Sequence, residues 1–218
     1  MLVLQLALLL HAAWRVGPTA DEHHYLAAGY SYLEEWDFAR NREHPPLIKL
    51  LIALPLWLAG DARFDPHWRD LVDYPVTFFY QVNRTDLDRN LFLARLGPCL
   101  LTVLGSAGVF LVARRLLGSM GGLAALLLFA FDPNVIAHGS LATLDNGVSV
   151  LFFLAVAGLV ALLEAPSPRR AVIAGVLFGL ANLAKFTALL LVPIGVGLAL
   201  WMALRRRSLA PRGWTAAA

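Results

Sequence analysis

Cysteine and charge are both scarce in this chain. The single cysteine, Cys99, excludes a disulfide within the chain, and its apolar neighbours read as the setting of an inert buried thiol. Only 15% of the 218 residues are Asp, Glu, Lys or Arg, too few and too clustered to coat a soluble domain of this size. No glycine-rich loop follows a strand-like run, so the usual cradle for a nucleotide is missing. No internal repeat is visible. What fills the chain instead is apolar: 59% hydrophobic residues and a mean hydropathy of +0.65, against about 45–50% apolar for an ordinary globular domain. This composition implies an all-α integral membrane protein. The net charge of +3 comes mostly from arginines at the ends of apolar runs, so it speaks to orientation in a bilayer and not to nucleic acid.

A spanning helix needs about 20 mostly apolar residues. Leu2 to Val16 is a short candidate, stopped by Gly17-Pro18, and lacks the basic start of a signal peptide. Leu91 to Leu117, Leu116 to Phe131 and Ala142 to Leu163 are further spans. Ala171 to Leu204 carries only Lys185 as a charge and is too long for one crossing, so it reads as a hairpin turning near that lysine. Leu47 to Ala59 would reach only about 20 Å as a helix, and reads as an interfacial or re-entrant helix that does not cross. The expectation is about six transmembrane helices in a single domain over 1–218, with interfacial helices in an exterior loop at 18–90. Arg114, Arg115, Arg169, Arg170 and Arg205 to Arg207 then share the cytoplasmic side, as the positive-inside rule asks. The acidic and histidine-bearing segments share the other face.

Three constellations on that face have chemistry in them. Thr19-Ala20-Asp21-Glu22 is a capping box, followed at helical spacing by Tyr25, Tyr32 and Trp36, which an aromatic belt at the interface also explains. Glu43-His44-Pro45-Pro46-Leu47 with Lys49 reads as a helix start with a snorkelling lysine. Asp132-Pro133-Asn134, His138-Gly139 and Asp145-Asn146 sit in an otherwise apolar hairpin. Asp132 suits a turn, whereas an acid at the edge of a span, such as Asp145, is costly and a functional candidate by default. Asp86-Leu87-Asp88 has the form of a metal-binding acid pair and Asn83-Arg84-Thr85 that of a glycosylation sequon. Both lie in a polar loop that gives neither further support.

Taken in order, Asp21-Glu22-x-x-Tyr25, Glu43-His44-Pro45-Pro46-Leu47 with Lys49, Ala94-Arg95-Leu96, and Asp132-Pro133-Asn134-x-x-x-His138-Gly139 followed by Asp145 resemble the amino-terminal part of a GT-C membrane glycosyltransferase. The likeness is to the protein O-mannosyltransferase and aminoarabinose-transferase families, over about residues 18–195, and relatives in those families are roughly twice as long. The resemblance implies transfer of a sugar from a polyprenyl-phosphate carrier to a hydroxyl-bearing protein, lipid or glycan acceptor. It implies a multi-pass protein of the bacterial inner membrane with its site facing outward. It places Asp21 as general base with Glu22 beside it, and Glu43, His44, Lys49, Arg95, Asp132, His138, Asp145 and Lys185 as substrate-binding residues, the cations holding the donor phosphate. A divalent metal is left open, because one Glu-His pair does not define a metal site. A transporter or flippase for a lipid-linked or anionic solute is the alternative, and there repeated halves and charges at mid-depth would be expected.

Overall fold

The computed structural model describes residues 1–67 and 73–209. Among these, apolar runs broken by proline and glycine become nine α-helices with no strand between them: α1 (Leu2–Arg15), α2 (Glu22–Glu35), α3 (Leu47–Ala59), α4 (Tyr74–Val76), α5 (Leu87–Ala130), α6 (Pro133–Gly139), α7 (Leu144–Glu164), α8 (Pro168–Ala184) and α9 (Leu191–Leu209). A π-helical turn at Thr77–Val82 and a short 3-10 turn lead from α4 into α5.

The 44 residues of α5 form two arms. Gly118, at φ 77° and ψ −178°, occupies a conformation open essentially only to glycine. A Cβ built on Gly122 would lie 3.0 Å from the Arg114 Cα, whereas eight residues of straight helix would separate the two by about 12 Å. The chain therefore folds back at Gly118, within two residues of the boundary expected between the second and third spans. The helix break expected near Lys185 is also present. Lys185 is extended at φ −159° and ψ 145° between α8 and a 3-10 turn that leads into α9.

Close approaches between helices show how they run. Gly105 faces Val150 and Gly108 faces Leu154, so the first arm of α5 runs parallel to α7, with small residues letting the two meet closely. Gly158 faces Leu177 and Ala174, which makes α8 antiparallel to α7. The carbonyl ends of α7 are closed by Arg170, whose Nη1 donates to Ala161 O at 2.9 Å and Ala165 O at 3.0 Å, and Arg115 pairs with Glu164 at the same end. Arg115 and Arg170 thus lie, with Glu164, at the end of α7 opposite Asp145. In the 205–207 cluster only the Arg205 side chain is among those described, and the tail 214–218 lies outside the described residues.

Two expectations change. Among the described residues three helical stretches are long and apolar enough to cross a membrane: Arg84–Ala130, Leu144–Glu164 and Phe186–Arg205. With α1, α3 and α8 at 14, 13 and 17 residues, length does not establish the count of six. Nor does α3 lie flat across the outer surface. A Cβ on Gly97 would fall 2.3 Å from Leu51 O, and Asp61 just beyond α3 pairs with Arg89 at 2.5 Å. The helix therefore stands antiparallel against the first part of α5. Gly29 of α2 makes a similar contact, since its Cβ would fall 2.0 Å from Lys49 O. Gly29→Ala must push α2 off α3 and should cost about 1–3 kcal/mol, read as a lower unfolding midpoint in detergent.

Candidate functional site

At the end of the bundle that carries the start of α2 lies a buried ion pair. Arg95 is 0% exposed and Glu22 1%. The guanidinium donates Nε to Glu22 Oε1 and Nη2 to Glu22 Oε2, both at 2.7 Å. Its other N–H groups reach Ala13 O at 2.7 Å, Val16 O at 2.6 Å and Gly17 O at 2.9 Å. All five donors are spent, three of them on carbonyls that the end of α1 leaves without helical partners. Glu22 is equally full, taking Ala142 N on Oε1 at 2.7 Å and Thr19 N on Oε2 at 2.9 Å. Burial raises the Glu22 pKa, but Arg95 and the two backbone N–H groups outweigh it and leave the carboxyl below its ordinary value.

This corrects two assignments made from sequence. Glu22 has no free oxygen for chemistry and Arg95 no free N–H for a phosphate. Together they join α1, α2, α5 and the 140–143 turn. The capping box is half formed: Thr19 N reaches Glu22, but the Thr19 hydroxyl has no partner, and α2 starts from Asp21 with no side-chain cap. The stripe of aromatics is not a single exposed face either, because Tyr32 is buried and Trp36 is solvent-exposed.

Beside this buried pair lies an exposed acidic face. Asp21 precedes Glu22 and is exposed, as are Glu43 and Asp145. The Glu22–Ala142 hydrogen bond brings Asp145, three residues on, next to the start of α2. Tyr25, one turn into α2, senses all three. Its phenol pKa is raised by burial first, then by the charges of Asp21, Asp145 and Glu43. Lys185 Nζ meets Asp145 Oδ1 at 2.5 Å, with side chains 20% and 68% exposed. In such an open setting the pair adds no more than about 1 kcal/mol. His44 is held below its ordinary pKa by burial, then by Lys185 and Lys49, so near neutral pH it offers an uncharged imidazole. Asp21, Glu43, His44, Asp145 and Lys185 therefore share one locality.

Lys49 stands apart from that face. It is 0% exposed, and its Nζ donates to Asn41 O at 2.6 Å and His44 O at 2.7 Å, with the Tyr32 hydroxyl at 3.4 Å. Burial, only partly offset by Glu43, brings its ammonium down to about 8. The unfolded chain keeps this proton to higher pH, so this residue makes stability rise as pH goes from about 8 towards 10.5. Enclosure removes it from the set of cations open to substrate, which corrects its expected role in holding the donor phosphate.

Asp132 caps α6, its Oδ1 accepting from Asn134 N at 2.8 Å and Val135 N at 3.1 Å, so the turn reading accounts for it. His138 is exposed and lines a cleft of about 550 Å³ with Asn134, Asp145 and Asn146. Val109, Phe129, Val150 and Phe153 make its walls apolar. Asn146 is fixed by its Nδ2 donating to Thr102 Oγ1 at 2.6 Å. Among the described residues no three His, Cys, Asp or Glu gather as a metal set. Asn83 of the sequon is 6% exposed, its Nδ2 donating to Arg63 O and Phe78 O and its Oδ1 accepting from Arg63 N.

A family model described as dolichyl-phosphate-mannose-protein mannosyltransferase matches residues 71–218. The chain belongs to this family. That makes it a membrane protein of the GT-C glycosyltransferase type, as the ordered motifs implied. No curated protein and no solved structure matches it in the corresponding comparisons. The mannosyltransferase match takes in Arg95, Asp132, His138, Asp145 and Lys185 and begins after Asp21, Glu43, His44 and Lys49. The first group thus lies within the matched residues and the second outside them. Sequence reasoning missed Tyr32 as an organising residue, its hydroxyl bonded to the Arg40 carbonyl and to Lys49. For Arg95 a signal did exist, because an arginine within an apolar helix requires a counter-charge.

Proposed function

We propose that this chain carries the catalytic face of a glycosyltransferase moving a sugar, mannose or a close relative, from a polyprenyl-phosphate donor to a hydroxyl acceptor. Asp21 is the general base. The observation that carries this reading is the division between neighbouring acids: Glu22 is consumed by Arg95, while Asp21 stays exposed beside Glu43, Asp145 and Lys185. A hydroxyl attacking the anomeric carbon must lose its proton, and an open carboxylate takes it. The departing group is a phosphate, which needs positive charge more than a strong acid. Of the three cations named from sequence, Lys185 alone reaches the open face, with His44 as a neutral hydrogen-bonding partner. The cleft beside Asp145 has apolar walls suited to a prenyl chain. The test is transfer of radiolabelled mannose from polyprenyl phosphate into protein-bound or lipid-bound product. A purified chain that binds donor and transfers nothing, even when its gene's full product is assayed, would sink the reading.

The acidic face is proposed to lie outside the cytoplasm, on the strength of the arginines at the other end. Cysteines placed at the exposed positions Ala20 and Ala165 report this directly, because the native Cys99 is buried and silent. An impermeant maleimide on intact cells should label Ala20→Cys and spare Ala165→Cys. The opposite pattern reverses the orientation.

A further inference from the structure

Lys49 is a cation enclosed without a carboxylate in contact, and among the described residues it forms no ion pair. A methionine would fill such a space without the cost of burying a charge. What the amine does hold is the loop between α2 and α3. That loop leaves α2 through Trp36 at φ 55° and passes Asn41 at φ 49°, left-handed conformations that side chains other than glycine adopt at a cost. Two of its carbonyls, those of Asn41 and His44, turn inward onto Nζ, and the Tyr32 hydroxyl donates to the carbonyl of Arg40. Glu43 lies between the two clamped residues and is exposed. An uncharged amine would still have two N–H groups for the two carbonyls, so the clamp survives deprotonation.

We propose that Lys49 is a positioning residue: by gripping the carbonyls of Asn41 and His44 it fixes the loop that presents Glu43 and His44 to the face bearing Asp21 and Asp145. The role rests on the transferase reading above, but the clamp itself is separable from it. Arg42, exposed in the middle of the loop, supplies a site for trypsin. In the full chain in detergent, Lys49→Met should be cut at Arg42 at least about tenfold faster than the parent, because opening the loop exposes its backbone. Its kcat for mannose transfer from polyprenyl-phosphate mannose, per folded molecule and well below the unfolding midpoint, should fall about 10²-fold, the scale expected for a catalytic constellation displaced by an ångström. The donor KM should stay within about threefold, since Lys185 is carried on another element. Tyr32→Phe removes only the hydroxyl, and should show a smaller change in the same two readouts if Lys49→Met proves too unstable to purify.

Unchanged cleavage at Arg42 in both variants overturns the clamp. Faster cleavage with undiminished kcat overturns the positioning role, as does a rise in donor KM that accounts for the whole loss. A parent that transfers no sugar, as this chain and as its gene's full product, overturns the transferase reading and the positioning role with it, while the cleavage result still decides whether the clamp exists.

Discussion

Asp21→Asn should lower sugar transfer by about 10²–10⁴-fold, the usual share of a general base. The substitution keeps the shape of the side chain and removes its affinity for the proton. Asp21 is exposed and its carboxylate caps nothing, so folding should change by no more than about 0.5 kcal/mol. Loss of activity without loss of stability is the distinguishing result. Donor binding should also persist, because the phosphate is assigned to Lys185 and not to Asp21. A variant that transfers at the parent rate would remove Asp21 from the mechanism and return the transporter alternative.

The second large effect falls next door and has the opposite character. Arg95→Met leaves the Glu22 carboxylate buried at 1% exposure with its main partner gone, at a cost of about 3–5 kcal/mol. For a chain of this length each kcal/mol is worth about 2–4 °C in Tm, so melting in detergent should drop by about 6–20 °C. Glu22→Gln should fare badly too. Read as a capping residue, glutamine would be tolerated. In the fold, its amide would point an N–H at a position where Thr19 N and Arg95 Nη2 already donate. Replacing Glu22 and Arg95 together by methionine should recover much of the loss, since neither charge is then left alone. An Arg95→Met variant and a double variant with the same Tm would show that the unpaired Glu22 carboxylate is not what destabilises the single variant.

The sequence revealed the apolar elements and their punctuation because hydropathy and glycine are local signals. The fold-back near residue 118 and the break at Lys185 were visible for that reason. It also gathered Asp21, Glu43, His44, Asp145 and Lys185 by an ordered resemblance, and the fold puts them in one locality. What it could not show was the choice between adjacent acids. Asp21 and Glu22 differ by one position, and only the pairing of residue 22 with an arginine 73 residues away decides which of them is buried. The fate of Lys49 was hidden for a similar reason. Snorkelling and burial begin from the same sequence, and the two inward-turned carbonyls that settle the matter belong to irregular backbone with no pattern to read. The stance of α3 against α5 depended on Gly97, a glycine whose purpose appears only when another helix's backbone is beside it.

The enclosure of Asn83 turns a dormant sequon into a clock. Its side-chain amide is occupied by Arg63 and Phe78 once the loop has packed, so a glycosylating enzyme can reach it only while the chain is still being made. In a host that modifies Asn-x-Thr sites, the fraction of chains carrying a glycan there would measure the race between that enzyme and the packing of Asn83 against Arg63 and Phe78. Variants that slow packing should gain glycan in proportion. Those that destabilise only the finished fold should not.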